Sequence, residues 1–288
     1  MFDAMTSRFG RDYASLRRNE PLTDEQMRRV APSIYAEEKH VSRSERYAYI
    51  PTADVLKGLR AEGFEVFCVQ QARCRNEDKR DHTKHLLRLR NVRQMGKAME
   101  VGDSVTEICL LNSHDGSSSY QMFAGVFRLI CLNGLMVPDT TLGSIKVPHT
   151  GKVQDKVIDG AFDILDGCTR VIESRDQMKA VALSPSEQMI FARAALDLRY
   201  DEGSAPIKAD QLLTPRRIED GAHDLWTAFN RTQEHLVRGG LPGRTANNDI
   251  TRTREITGID QNVRLNKALW TLAEEMRKLK GALFIDPI

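Results

Sequence analysis

The chain has 288 residues, 41% of them apolar and 28% charged, with a formal net charge of +2. That composition supplies a packed core for one large domain or two ordinary ones, and it excludes global disorder. A charge so close to neutral says nothing about partners by itself, so its distribution has to.

Taken in chain order, the first 50 residues are polar and weakly periodic. A helix is expected near Thr23–Val30, where Thr23 stands as N-cap to Asp24-Glu25-Gln26. Tyr47–Ile50 reads as a short strand. Pro51-Thr52 then opens a helix whose apolar stripe is Val55, Leu56 and Leu59, and Gly63 closes it. Three strand-like runs follow: Phe64–Arg75, Lys84–Arg93 and Ser104–Ser113. In the first, Phe64, Val66, Cys68 and Gln70 alternate with Glu65, Phe67, Val69 and Gln71. The gaps NEDKRD and QMGKAMEVGD read as hairpin loops, so the three runs form an antiparallel meander.

Tyr120, Phe123, Ala124, Phe127 and Cys131 recur at helical spacing, which predicts a helix from Tyr120 that gives way to extended chain before Asn133-Gly134. A buried strand is the competing reading of Phe127–Leu132. Thr141–Thr150 reads as another short strand. After residue 152 the apolar spacing turns to threes and fours, giving four amphipathic helices. One of them follows Ser184-Pro185-Ser186-Glu187, a capping arrangement with proline in the first turn. The Gly/Asn/Thr-rich stretch before the last helix reads as a loop. The expected class is α+β, with an antiparallel β-meander packed on helices over residues 1–152 and a mainly helical part over 153–288.

Several kinds of chemistry find no support. The five cysteines, Cys68, Cys74, Cys109, Cys131 and Cys168, show no C-x-x-C spacing, and three of them sit inside apolar runs. That favours a reducing compartment without a disulfide framework. The N-terminus lacks the apolar core of a signal peptide, and no stretch approaches membrane-spanning length, so a cytoplasmic protein is expected. His82-x-x-His85 has no cysteine or carboxylate cluster beside it, and no metal is expected. Phosphate-loop, dinucleotide-binding and nucleophile-elbow motifs are missing. Glu65 and Glu107 stand isolated on their strands, so the carboxylate clusters of nucleases are not expected, nor is any cofactor.

What remains is local charge. Between Arg73 and Lys97 lie nine basic residues (Arg73, Arg75, Lys79, Arg80, Lys84, Arg88, Arg90, Arg93 and Lys97) and three acidic ones, a local +6 that leaves −4 for the rest. On a strand, Leu87 and Leu89 point one way while Lys84, Arg88 and Arg90 point the other. Residues two apart on a strand are about 6.6 Å apart, which suits neighbouring phosphates of an extended single strand. A solvated outer face of a sheet accounts for the same pattern. Aromatics make up only 6% of the chain, so the expectation is backbone tracking rather than base stacking.

Ala31–Phe64 (with SRSERYAYIPT), Thr83–Arg90 (TKHLLRLR), Phe127–Val137 (FRLICLNGLMV) and His149-Thr150-Gly151 together carry a resemblance. They resemble the phage- and plasmid-borne "domain of unknown function 932" family, over roughly residues 30–240. What the resemblance implies is a role on mobile elements: DNA entry, replication, recombination or evasion of defence. The order helix, three-stranded meander, helix is also similar to the core of phage-type single-strand annealing proteins, which bind DNA backbone along a basic groove and assemble into rings or filaments. That is an analogy of element order.

The resulting expectation is a single-stranded DNA binding and annealing protein, without metal or nucleotide hydrolysis, that assembles as a homo-oligomer. Arg73, Arg75, Lys84, Arg88 and Arg90 would form its basic track. Arg93, Lys97, Arg128 and Lys152 would extend it. Replacing Arg88 and Arg90 together should then abolish binding and leave thermal stability nearly unchanged. The alternative is an inhibitor of host defence or restriction that binds a host protein.

Overall fold

The computed structural model describes residues 13–45, 47, 49–74, 76–92, 104–128, 134–136, 144–147 and 154–282. In chain order these form β1 (Tyr13–Arg17), α1 (Asp24–Val30), α2 (Thr52–Ala61), β2 (Phe64–Ala72), β3 (His85–Asn91), β4 (Ser104–Asn112), β5 (Tyr120–Arg128), β6 (Gly134–Met136) and β7 (Ser144–Val147). Then follow α3 (Gln154–Ala180), α4 (Pro185–Asp197), α5 (Leu225–Arg238), β8 (Pro242–Arg244), β9 (Ile250–Arg252) and α6 (Ile259–Ala282). The class is α+β. The chain divides into two units. One takes residues 1–127, 139–168 and 257–259, and the other takes 128–138, 169–256 and 260–288.

In the first unit the sheet runs β1-β2-β3-β4-β5, and β7 pairs antiparallel with the first half of β5. The expected meander is β2-β3-β4. One face packs Phe64, Val66, Val69, Leu87, Leu89, Ile108, Leu110, Tyr120 and Met122 against Met27 of α1, Val55, Leu56 and Leu59 of α2, and Ala161 and Ile164 of α3. The helices begin where the sequence places them. Thr23 accepts from Gln26 N at 3.3 Å while Gln26 Oε1 accepts from Thr23 N at 3.1 Å, a reciprocal cap that satisfies two otherwise orphaned donors.

Two local expectations fail. Tyr120–Arg128 is a strand rather than a helix, because Met122, Phe123 and Ala124 are all buried and so both faces of the strand are covered. An apolar run buried on both sides loses its two-residue alternation and imitates helical spacing. Tyr47, Tyr49 and Ile50 lie in irregular chain, held by Tyr47 Oη donating to Ser113 O at 2.9 Å and by Tyr49 Oη donating to Ala36 O. The NEDKRD loop joins the antiparallel β2 and β3 as expected, and within it Glu77–His82 closes into a 3₁₀ turn capped by Asn76. The QMGKAMEVGD gap lies outside the described residues.

In the second unit the amphipathic helix α5 is covered on its polar side as well as its apolar one. Twelve of its residues are buried, including Asn230, Arg231, Gln233, Glu234 and His235. Trp226 stacks on Phe229, which meets Trp270 of α6 edge-on with centroids 6.4 Å apart. The polar groups find partners: Glu234 takes Arg217 through both carboxylate oxygens at 2.7 and 2.8 Å, and His235 Nε2 donates to Thr214 O at 2.8 Å. At the start of α4, Ser184 and Glu187 form the expected capping box behind Pro185. Ser184→Ala should therefore lower stability by about 1 kcal/mol in urea denaturation, with Ser184→Gly losing only a few tenths. An unchanged midpoint for the alanine variant would show that the cap contributes nothing. Within the Gly/Asn/Thr-rich stretch read as a loop, β8 and β9 form a short hairpin. Among the described residues no helix is long and apolar enough to cross a membrane.

Candidate nucleic-acid interface

The second face of the sheet carries the arginines. Its geometry turns on one extra residue: the β2–β3 register pairs Val66 with Leu89 and Cys68 with Arg88, leaving Phe67 as a bulge. A bulge puts two successive side chains on one face and inverts the parity beyond it. Phe67 and Cys68 thus share the arginine face, while Val69 and Gln71 return to the core face. The backbone pairs Arg17 with Cys68, Cys68 with Arg88, and Arg88 with Cys109, an alternating row across β1 to β4.

One carboxylate anchors this row. Glu107 on β4 accepts from Arg88 Nε through one oxygen and from Arg90 Nε at 2.7 Å through the other. Arg88, Arg90 and Glu107 are 5%, 2% and 1% exposed. The Arg90 guanidinium also lies 4.3 Å over the Phe67 ring. Burial pushes the Glu107 carboxyl up, but the two arginines outweigh it and hold the group below the usual carboxylate range. Burial pulls Arg88 down, and Glu107 more than restores it. Arg17 is lowered, first by burial and then by the positive charge of Arg88. Arg17 Nη1 and both terminal nitrogens of Arg90 are buried without a hydrogen-bond partner.

The basic track therefore changes form. Arg88 and Arg90 do not present their guanidinium groups to solvent; they are sealed and bound to Glu107, which the sequence left isolated. Replacing both would leave Glu107 buried and unpaired, so a loss of thermal stability is now the expected result. Arg73 is exposed just beyond β2, and the bulge parity gives its position to the core face, away from Arg88. Lys84 precedes β3 on the same side as Arg88 and is half-buried. Arg128 is the last residue of β5. Arg75, Arg93, Lys97 and Lys152 lie outside the described residues. Sequence reasoning missed Arg17, because the polar first segment hid β1. The missed signal for Glu107 was its alternation with Ile108, which places it opposite arginine once β3 and β4 pair.

The core face ends in a buried polar network. Ser33 Oγ donates to Gln71 Oε1 at 2.7 Å, and Asn112 Nδ2 donates to Thr52 Oγ1 at 2.9 Å. His85 lies between them, with Nδ1 3.2 Å from Thr83 O and 2.9 Å from Ser33 Oγ, and Nε2 2.9 Å from Thr52 Oγ1. A carbonyl only accepts, so Nδ1 carries the proton and Nε2 accepts from Thr52. Burial pushes the His85 imidazole down to about 4. Ser33, Thr52 and His85 are 0% exposed, which makes this an orienting network with no path for a substrate. His82 faces His40 and His85 faces His114, each pair with ring centroids 5.3 Å apart. Among the described residues no group of His, Cys, Asp and Glu has metal-holding geometry.

Comparison of the sequence with known proteins finds relatives over most of the chain. A family model described as "Domain of unknown function (DUF932)" matches residues 39–270. The chain is similar to the UPF0380 protein YfjQ of Escherichia coli (strain K12), 48% identical over 272 residues, covering 94% of this chain and 97% of that protein. It is also similar to the UPF0380 protein YafZ of the same strain, 47% identical over 272 residues, with the same coverage of 94% and 97%. No solved structure matches the chain.

Proposed function

The chain belongs to the DUF932 family, and we propose that it binds single-stranded DNA and anneals or shields such strands during the processing of mobile-element DNA. The observation that carries this reading is the arginine face of the sheet. Glu107 is shared by Arg88 and Arg90, and Arg17 and Arg90 still hold buried nitrogens with no partner. Buried cationic groups of this kind are stabilised by an anion, and phosphate oxygens match the guanidinium fork as carboxylate oxygens do. Access in this reading requires the face to open, with Lys84 at its rim. Element order lends no further support, because a strand, β5, stands where the analogy has a helix after the meander. The protein works in the cytoplasm, assembles with further copies on the strand, and needs no metal or nucleotide.

Titrating the protein into a labelled single-stranded oligonucleotide across a salt series tests the reading. Binding should weaken steeply with salt, each neutralised phosphate adding about 0.7 to the log–log slope. Saturating oligonucleotide should also raise the melting temperature, because it binds only the folded chain. Light scattering should report several protomers per strand. No binding at the lowest salt would sink the proposal and direct the search to a host protein partner.

A further inference from the structure

The helical unit carries a cationic ribbon separate from the sheet. In the β8–β9 hairpin Pro242 pairs with Arg252, Gly243 with Thr251, and Arg244 with Ile250. Strand alternation then puts Pro242, Arg244, Ile250 and Arg252 on one face. All four are exposed, Ile250 at 85%. The opposite side is pinned: Arg244 N donates to Pro206 O at 2.8 Å, and a Cβ on Gly243 would lie 2.0 Å from that same oxygen. The turn is closed by Thr245 N donating to Asp249 O at 2.9 Å, with Asn248 in the left-handed region at φ 68°. The ribbon is thus fixed behind and open in front.

Four guanidinium groups gather on this hairpin and its two ends, and each is held by a main-chain carbonyl. Arg244 donates to Asn248 O at 2.8 Å, Arg252 to Gly240 O at 2.9 Å, Arg216 to Gly239 O at 2.8 Å, and Arg199 to Arg254 O. Among the described residues none of the four forms an ion pair with a carboxylate. Glu234, the acid felt by Arg216, is already taken by Arg217 and Arg238 at 2.7 and 2.9 Å. A carbonyl orients a guanidinium without neutralising it, so the charges stay available and their geometry is set in advance. Burial lowers Arg199 and Arg216, as uncompensated positive charge requires. Asp249, at the tip, is the one acid between Gly239 and Arg254.

We propose that the outer face of the β8–β9 hairpin binds the phosphate backbone of single-stranded nucleic acid, with Arg244 and Arg252 on successive phosphates and Ile250 between them. The two arginines are diagonal neighbours, with backbones about 7–8 Å apart. This inference rests on the single-strand reading and adds to it a solvent-facing contact in the other unit. Four carboxylate-free guanidiniums around so short a ribbon favour a polyanion over an acidic peptide, whose charges are farther from the chain and individually less dense.

The test uses the full chain with labelled oligo(dT) and compares Arg244→Ala/Arg252→Ala with Arg244→Lys/Arg252→Lys. The alanine pair should lose about tenfold in affinity at low salt, and its salt slope should shrink by about 1.4. The lysine pair should keep the slope. Both tryptophans lie in this unit, so their fluorescence melt checks that each variant is folded. If the alanine pair melts early, Arg244→Ala and Arg252→Ala singly carry the test, each with half the change in slope. An alanine pair that binds like wild type overturns the hairpin contact and leaves the single-strand reading intact. A lysine pair as weak as the alanine pair overturns the phosphate assignment. Wild type that binds polyglutamate but no oligonucleotide overturns both.

Discussion

Replacing Glu107 with alanine should destabilise the sheet-bearing unit by about 3–5 kcal/mol, the range for breaking a buried ion pair from one side. The reason is the company it leaves behind. Arg88 and Arg90 are 5% and 2% exposed, and with Arg17 beside them the face would hold three guanidiniums and lose the carboxylate that two of them share. Glu107→Gln should recover part of the loss, since an amide oxygen still accepts one of the two bonds but carries no charge. Removing Glu107, Arg88 and Arg90 together, as leucine and methionine, should be milder than removing Glu107 alone, because well-packed apolar groups replace a buried ion network at little net loss. Circular dichroism is the readout, because Trp226 and Trp270 report the other unit. A Glu107→Ala protein with an unshifted urea midpoint would show that the arginine face is open to water in solution.

The second large effect is on pH. His85 titrates near 4 in the folded protein against 6.5 in the unfolded chain, so between those values the unfolded state holds more protons. Its contribution to stability is complete above about pH 6.5 and is lost as the pH falls toward 4. The full loss is about 3 kcal/mol at 1.36 kcal/mol per pH unit of difference. The cause is burial, which outweighs the opposing hydrogen bond from Nδ1–H to Thr83 O. His82 and His235 are also lowered by burial and add slope in the same direction, so the measurement is a difference. Urea midpoints of wild type and His85→Gln between pH 7 and pH 4.5 should converge as the pH falls. Parallel curves would mean that His85 is not the group responsible.

How much of this was legible varies by element and for physical reasons. Thr23 and the Ser184-Pro185-Glu187 cap could be read directly, because capping depends on residues within one turn. Leu87 and Leu89 could be placed on the core face because β3 is short and regular. Past Val66 the same reasoning failed on β2, where the bulge at Phe67 carries no signature in a run that alternates on paper. Tyr120–Arg128 was misread because its two covered faces erase the periodicity that separates strand from helix. On the candidate interface, sequence supplied the arginines but not their exposure. A single acid two strands-worth of sequence away, Glu107, decides that question, and only the β3–β4 register brings it to Arg88 and Arg90.

The bulge has a consequence for how this sheet tolerates mutation over time. Because Phe67 is supernumerary, the two halves of β2 are out of phase, and each half is matched separately to its own stretch of β3. Substitutions along β2 are tested one side chain at a time. A one-residue insertion is tested collectively, since it would turn Phe64 and Val66 outward or carry Gln71 away from Ser33. Removing the supernumerary Phe67 keeps Val66 opposite Leu89 and Cys68 opposite Arg88, so its deletion should cost the ring over Arg90 and spare the register, whereas an insertion after Val69 should be far more damaging.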